Sequence, residues 1–401
     1  MSRWCRAAAR TVVSVGVGTV LLFSATPALA AGQGWELDAL SVPAAHRISR
    51  GDGITVAVID TGIRTEHPLL DGRATEGPDL LNETDQKESW YGQHGTIMAS
   101  NVLDVAPDAK VLGLRAIRDT EDPDFETGIP GTTLARAIRQ AADTAEVRVI
   151  SLSLGTESLI GAYDADEMLA VQYALGKGIV VVAGAGNDAR HLNQVSYPVG
   201  YPGVLGVAAS TPTGARAPFS SVHSYVDVAA PGVQIWGAEF NSTGRKSGQG
   251  TSQATALTSG VAALILAKYP KLAPRQVVEL LERTASHPDR HDPETGYGVI
   301  DAEKALRAAA KVKPQPFVMV GKERAGEHFG PGDDGTPRRI AQPWDRTSVV
   351  VIGVFGLIAL LMLVGGLLMV GSGRRARRRA QVAGGFGNPP VPGPPPPPRT
   401  W

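Results

Sequence analysis

The most constraining feature of the chain is an alternation of short apolar runs with longer helix-like segments between residues 54 and 268. The apolar runs are β-branched and continuous, which is typical of strands buried on both faces of a parallel sheet. The segments between them have helical spacing and short joints. This order predicts an α/β fold in which a parallel β-sheet is flanked by helices on both faces.

The periodicity assigns most elements of this fold. Strands are predicted at residues 54–60, 110–117, 147–154, 179–183 and 204–209. Helices are predicted from about residue 97 and at 132–144, 165–177, 254–268 and 274–283, with a last one ending near residue 310. Residues 71–93 are predicted to be a polar loop. The folded domain then covers residues 54–310.

Composition excludes several classes of function. Lys+Arg and Asp+Glu both number 39, so nothing in the charge balance favours nucleic acid as a partner. The single cysteine, Cys5, lies in a segment that we expect to be removed. The mature chain then has no cysteine nucleophile, no disulfide and no thiolate metal site.

Residues 1–31 have the form of a secretory signal peptide. Arg3, Arg6 and Arg10 precede an apolar run, and Ala28-Leu29-Ala30 has the small-x-small pattern that signal peptidases cleave. An uncleaved anchor is the alternative, and both readings place the next segment outside the cytoplasm. Residues 32–53 are then a short N-terminal extension.

A second apolar stretch, Val349 to Val370, is uncharged and long enough to cross a bilayer, which takes about 20 residues. It predicts a transmembrane helix at 348–371, after a Pro/Gly-containing linker at 311–347. Five arginines follow, and a basic flank marks the cytoplasmic side. Residues 372–401 are predicted to be a basic, Pro-rich cytoplasmic tail. This tail either binds a partner or is simply a soluble segment, and the sequence leaves both alternatives open. The folded domain is therefore expected on the extracytoplasmic side of a single-pass membrane protein.

Four polar residues fall at predicted strand ends or helix starts, where α/β sheets place their sites. Asp60 ends the first strand, His94 begins a helix, Asn187 follows a strand and two glycines, and Ser252 precedes an apolar helix. Singly, each has a plainer explanation: a turn Asp, an exposed His, a turn Asn and an ordinary N-cap.

Together the four residues supply one group for each role in nucleophilic hydrolysis. Ser252 attacks, and His94 accepts the hydroxyl proton. Asp60 fixes the imidazole tautomer, and Asn187 donates to the developing oxyanion. The free N–H groups at a helix N-terminus also favour negative charge beside Ser252.

The loop from Asp119 to Gly131 is acidic. A solvated surface loop, a cation site and a patch that selects basic substrates are all open readings of it. Its carboxylates are those of Asp119, Glu121, Asp122, Asp124 and Glu126.

Three segments carry a resemblance to the subtilisin-like serine proteases: VAVIDTGI around Asp60, HGTIMAS around His94 and GTSQATA around Ser252. The resemblance continues through connecting segments such as VVAGAGN and extends from about residue 51 to residue 310. It implies a subtilisin-like fold, endopeptidase activity on proteins or peptides and an Asp60–His94–Ser252 triad. It also implies an oxyanion hole formed by Asn187 and the Ser252 N–H.

The same resemblance implies how substrates bind. Ser153-Leu154-Gly155 would pair with the substrate backbone and wall the primary pocket. Asp188 would rim that pocket and favour a basic substrate residue. No cofactor is required for the chemistry, and no metal ligands are assigned, although the family makes a structural calcium ion plausible.

The chain departs from the family at several positions. Gln253 and Ala256 stand where relatives usually have Met and Pro, and Ile97 stands where many have a second His. We expect altered geometry at the helix start without loss of activity. The extension at 32–53 is too short for a folded pro-domain, which predicts an enzyme that folds without a removable chaperone segment.

The layout as a whole resembles the mycosins, membrane-anchored proteases that accompany type VII secretion in actinobacteria. That resemblance implies exported proteins as substrates and membrane components of the secretion machine as partners. Mycosins often carry cysteines, which the mature chain lacks. A largely non-catalytic scaffold for a membrane complex and a broadly degradative surface protease are the alternatives.

Overall fold

The structure, a computed structural model, describes residues 34–81, 90–120, 132–158, 163–315 and 354–365, with Gln86, Glu88, Asp122 and Gly393. The predicted signal peptide and almost all of the linker and tail lie outside these residues. Of the predicted transmembrane segment, residues 354–365 are described and helical. No helix in the described parts of the chain is both long and apolar enough to span a bilayer.

Seven parallel strands form the central sheet, in the order β2-β3-β1-β4-β6-β8-β9. Two small antiparallel pairs, β5–β7 and β10–β11, lie outside it. The strands are β1 (Thr55–Asp60), β2 (Ala74–Asp79), β3 (Lys110–Arg115), β4 (Val147–Leu152), β5 (Thr156–Ser158), β6 (Val180–Gly184), β7 (Val195–Tyr197), β8 (Leu205–Ser210), β9 (Val228–Pro231), β10 (Ile235–Ala238) and β11 (Arg245–Gly248).

Helices cover both faces of the sheet, as the residues of β1 illustrate. Val56 and Val58 belong to one hydrophobic cluster with residues of α3 and α6, while Ala57 and Ile59 belong to another with residues of α4 and α5. Side chains alternate between the faces of a strand, so a continuous apolar run supplies both clusters. The helices are α1 (Trp35–Ala39), α2 (Val42–Ala45), α3 (Gln93–Val105), α4 (Thr133–Asp143), α5 (Ala165–Gly176), α6 (Thr251–Lys268), α7 (Pro274–Thr284) and α8 (Ala302–Ala309).

The prediction of an uninterrupted polar loop at residues 71–93 was wrong. Strand β2 lies inside it, with the sequence Ala-Thr-Glu-Gly-Pro-Asp. β2 is the edge strand of the sheet and pairs only with β3, so it is only partly buried. It therefore lacks the continuous apolar signature of the central strands.

The N-terminal extension, described from residue 34, lies against the C-terminal halves of two core helices. The His46 ring nitrogen Nε2 is 2.8 Å from the Val105 carbonyl oxygen, at the end of α3. The Ser49 hydroxyl donates to the Leu264 carbonyl oxygen, in the last turns of α6, at 2.7 Å. These contacts are at the opposite ends of α3 and α6 from the predicted catalytic residues.

Candidate active site

Three neighbouring strands bring their carboxyl ends to one edge of the sheet. β1 pairs with β4 and β4 with β6 in parallel register. Extending that register places Asp60, Ser153 and Gly184 side by side, with adjacent strands about 4.8 Å apart. The first predicted carboxylate and the predicted substrate-binding segment therefore share this edge.

Helices α3 and α6 begin at the same end of the domain. His94 and Ser252 are each the second residue of their helix. Gly260 and Val102 each lie eight residues further on, and a methyl group on Gly260 would be 3.0 Å from the Val102 carbonyl oxygen. Ser153 lines both the cavity that contains His94 and the cavity that contains Ser252, so the first turns of the two helices meet at the same sheet edge.

The sequence explains why α6 is central. Fifteen of its eighteen residues are buried, as expected of a helix that is apolar or small on every side. It starts at Thr251, after Gly250, so Ser252 lies in a regular first turn. Gln253 and Ala256 are accommodated within that helix.

Asp60 and His94 form a hydrogen-bonded pair. His94 Nδ1 lies 2.8 Å from Oδ1 and 3.0 Å from Oδ2 of Asp60, whose side chain is fully buried. The Thr61 N–H also donates to Asp60 Oδ1 at 2.8 Å. The His94 side chain is one third exposed, which leaves Nε2 as the nitrogen available for proton transfer.

The surroundings of His94 favour its protonated form. Burial lowers the pKa of His94, but the charge and hydrogen bond of Asp60 and the charge of Asp119 outweigh that effect. The net result is a pKa raised above its ordinary value of 6.5. An imidazolium formed by proton abstraction is therefore stabilised at this position.

The Ser252 hydroxyl is directed to its neighbour on the sheet edge. It donates to the Ser153 carbonyl oxygen at 3.2 Å, and the Ser153 hydroxyl donates back to the Ser252 carbonyl oxygen at 3.0 Å. The structure thus brings Ser252 to the same end as His94 without a hydrogen bond from its hydroxyl to the imidazole. Catalytic hydrogen bonds often form only with substrate bound.

Asn187 is oriented by the residue before Ser252. Its Oδ1 accepts from the Thr251 N–H at 2.9 Å and from the Thr251 hydroxyl at 3.2 Å. Because the carbonyl end of the amide is occupied, its Nδ2 is the end available to donate into the site. Asn187 is exposed, as a residue that meets a ligand needs to be.

A cavity of about 190 Å³ lies between these residues. It is lined by all three residues of the predicted substrate-binding segment. Ser196 also lines it, although no sequence motif indicated Ser196 as a site residue. Asp188 does not line it, because its carboxylate accepts from the Gln194 N–H at 3.2 Å and pairs with His191 at 3.2 Å. The lining residues are Ser153, Leu154, Gly155, Gly184, Gly186, Asn187, Ser196, Thr251 and Ser252.

The described part of the acidic loop is engaged with the protein itself. Asp119 accepts hydrogen bonds from the main chain of α3, and Asp122 pairs with the buried Arg115 at 2.9 Å. Three further carboxylates of the loop, Glu121, Asp124 and Glu126, lie outside the described residues. Within the part of the chain that the structure covers, no group of three His, Cys, Asp or Glu side chains could hold a metal ion.

A parallel α/β sheet that presents a buried Asp–His pair and a helix-start serine at its carboxyl edge resembles the sites of Asp–His–Ser hydrolases. The sequence profile of the subtilase family matches residues 51–299. The chain belongs to this family.

Individual relatives agree with that assignment. Subtilisin NAT from Bacillus subtilis subsp. natto is 37% identical over 259 residues, which cover 62% of this chain and 65% of that protein. The chain therefore spans slightly less than two thirds of this relative's length. Mycosin-1 from Mycobacterium tuberculosis is 32% identical over 334 residues, covering 68% of this chain and 72% of that protein.

A solved structure of similar fold is that of the MycP3 protease from the type VII (ESX-3) secretion system. It superimposes with a TM-score of 0.60 at 31% identity, covering 69% of this chain and 88% of that one.

Proposed function

We propose that this chain is a serine endopeptidase in which Asp60, His94 and Ser252 form the catalytic triad. The observation that carries the proposal is the 2.8 Å hydrogen bond between His94 Nδ1 and the fully buried Asp60, at the sheet edge where α6 presents Ser252. A buried carboxylate on one imidazole nitrogen leaves the other as a base of fixed tautomer.

The chemistry follows from these positions. Ser252 turns from the Ser153 carbonyl oxygen to His94 Nε2, which takes its proton as Oγ attacks the peptide carbonyl carbon. Asp60 stabilises the imidazolium, while Asn187 Nδ2 and the Ser252 N–H donate to the oxyanion. His94 then protonates the leaving amine, and a water molecule activated by His94 releases the acyl group from Ser252.

The cavity beside Ser252 supports a peptide as the substrate. Ser153-Leu154-Gly155 continues a central strand into the cavity, so an extended peptide could add to this edge by main-chain hydrogen bonds. Asp188 remains our candidate for a basic-residue preference, despite its present partners Gln194 and His191. If Asp188→Ala leaves the ratio of cleavage after Arg to cleavage after Leu unchanged, that role is wrong.

We also propose that the protease domain is extracytoplasmic and anchored by the apolar stretch Val349 to Val370. The signal-like residues 1–31 and the arginines after residue 373 support this topology. Carbonate extraction of cell membranes tests it. The full chain should stay in the membrane pellet, and a chain truncated before residue 349 should be released; retention of the truncated chain would contradict the anchor.

The mycosin resemblance supports a role in type VII secretion, with exported proteins as substrates and membrane components of the secretion machine as partners. Mycosin-1 and the MycP3 protease of a type VII system are among the similar proteins. The alternative is a scaffold whose main task is to stabilise a membrane complex. Complementation of a deletion strain with Ser252→Ala separates the two. The variant should restore secretion if the protein acts as a scaffold and should fail to restore it if the protein acts as a processing enzyme.

Peptide cleavage tests the enzymatic proposal. The purified full-length chain is incubated with a diverse peptide library, alongside Ser252→Ala and His94→Ala variants whose folding is checked by melting. We expect internal cleavages that both variants abolish. Cleavage that persists in folded Ser252→Ala would exclude this serine as the nucleophile.

A further inference from the structure

Asp119 holds the first turn of the helix that carries His94. Its Oδ2 accepts from the Gln93 N–H at 2.9 Å and its Oδ1 from the His94 N–H at 3.1 Å. Gly92, the residue before the helix, has no side chain to do this. The first N–H groups of a helix need outside partners, and a carboxylate is the strongest acceptor for them.

The same carboxylate reaches the segment that carries Asp60. The Thr61 side chain lowers the pKa of Asp119, and the Thr61 hydroxyl oxygen accepts from the Gly95 N–H at 3.1 Å. Thr61 directly follows Asp60 and donates its own N–H to the Asp60 carboxylate. Asp119, which is 5% exposed, therefore holds the start of α3 beside Thr61, the residue that joins the Asp60 segment to α3.

Among the described residues, the charged groups nearest to Asp119 can be named. Asp60 approaches from β1 and His94 from α3, and the neighbouring Arg118 pairs with Asp122 at 3.8 Å. Burial raises the pKa of Asp119, and its hydrogen bonds to α3 lower it. The effect of burial is larger, so the pKa is raised to about 6. Asp119 is therefore mainly ionised above that pH, where it adds a second negative charge near the imidazole.

We propose that Asp119 is a positioning residue for the reaction, which fixes the His94 backbone beside Thr61 and favours the imidazolium through its negative charge. This inference rests on the proposed protease function. It explains a buried carboxylate that takes no part in the proton transfers themselves. It also gives the start of the acidic loop a role inside the site, distinct from cation or substrate binding.

The test is the Asp119→Asn variant of the full-length chain. Removing the charge should lower the pKa of His94, so that the acid limb of kcat/KM moves to lower pH by about 0.5–1 unit. The plateau of kcat/KM at high pH should fall roughly tenfold, because the amide nitrogen of Asn would face one of the two N–H donors.

Asp122→Asn is the matched control. It removes a buried carboxylate three residues further along the same loop, one that pairs with Arg115 and not with α3. It should lower the melting temperature and leave the acid limb in place. An acid limb that does not move in Asp119→Asn, or that moves equally in Asp122→Asn, overturns the proposal.

A readout independent of activity separates this inference from the protease proposal. In the Ser252→Ala background, NMR titration of ¹³C-labelled His94 should give a lower pKa when Asp119→Asn is added, whether or not the chain cleaves peptides. An unchanged pKa overturns the inference even if the enzyme is active. If Asp119→Asn does not fold, Thr61→Val removes the acceptor of the Gly95 N–H and tests the link between the Asp60 segment and α3: the plateau should fall, and an unaltered plateau refutes the link.

Discussion

Gly260 tests whether the packing of α3 on α6 sets the distance between His94 and Ser252. In the Gly260→Ala variant the new methyl carbon would lie 2.6 Å from Val105 Cβ and 3.0 Å from the Val102 carbonyl oxygen. Carbon atoms pack at about 3.5–4.0 Å, so the two helices must separate locally by about 1 Å. Their first turns carry His94 and Ser252, and the displacement should reach both.

The expected loss of stability is small. Overpacking a core costs about 1–3 kcal/mol, and replacing a helical Gly with Ala returns about 1 kcal/mol. The net cost of about 1 kcal/mol corresponds to a fall in melting temperature of about 2–4 °C for a domain of this size. The loss of activity should be much larger, about 10- to 100-fold in kcat/KM, because a shift of about 1 Å misaligns the base and the nucleophile.

The assay compares kcat/KM on a peptide substrate with thermal melting of the same preparation. Ile138→Val is the matched control, because it removes one methyl group from a fully buried side chain on the other face of the sheet. It should cost a similar free energy of unfolding, about 0.5–1.5 kcal/mol, and keep full activity. Wild-type kcat/KM in folded Gly260→Ala would refute the claim that this contact sets the site geometry.

Three further predictions concern single polar groups. Asp60→Asn should lower kcat by about 10⁴-fold and move the acid limb of the pH–rate profile, expected above 6.5 in the intact chain, to lower pH. Asn187→Ala should lower kcat by about 10²- to 10³-fold with little change in KM, measured by steady-state kinetics on one peptide. Burial raises the pKa of Asp227 from 3.8 to about 7, so the folded chain binds more protons than the unfolded chain between these values and loses stability as the pH rises through them. Asp227→Asn keeps an acceptor for the Gly206 N–H and should flatten the fall in melting temperature over that range; an equally steep fall would contradict this assignment.

The central strands and the long helices were predictable because their apolar patterns are set by burial on both sides. The runs around Val58 and Val181 are continuous, and both lie inside the sheet. The alternation of strands and helices then predicted Asp60, His94, Asn187 and Ser252 at strand ends or helix starts, which lie at one edge of the sheet. Those placements follow from the topology of parallel sheets.

Features that depend on distant or edge contacts were not predictable. β2 is polar because it pairs on one side only, and no periodicity revealed it. Ser196 reaches the cavity through β7, which pairs with β5 about forty residues earlier in the chain. Asp119 meets the start of α3 across a separation of 25 residues, which only the folded backbone brings together.

Labelling with a fluorophosphonate probe reports the activation of Ser252 itself, since the probe reacts with a serine only when a base activates it. The purified full-length chain is labelled beside Ser252→Ala and His94→Ala, with the modified residue located by mass spectrometry. We expect one modified residue, Ser252, and no label in either variant. No label on a folded wild-type chain, or equal labelling of folded His94→Ala, would contradict this expectation.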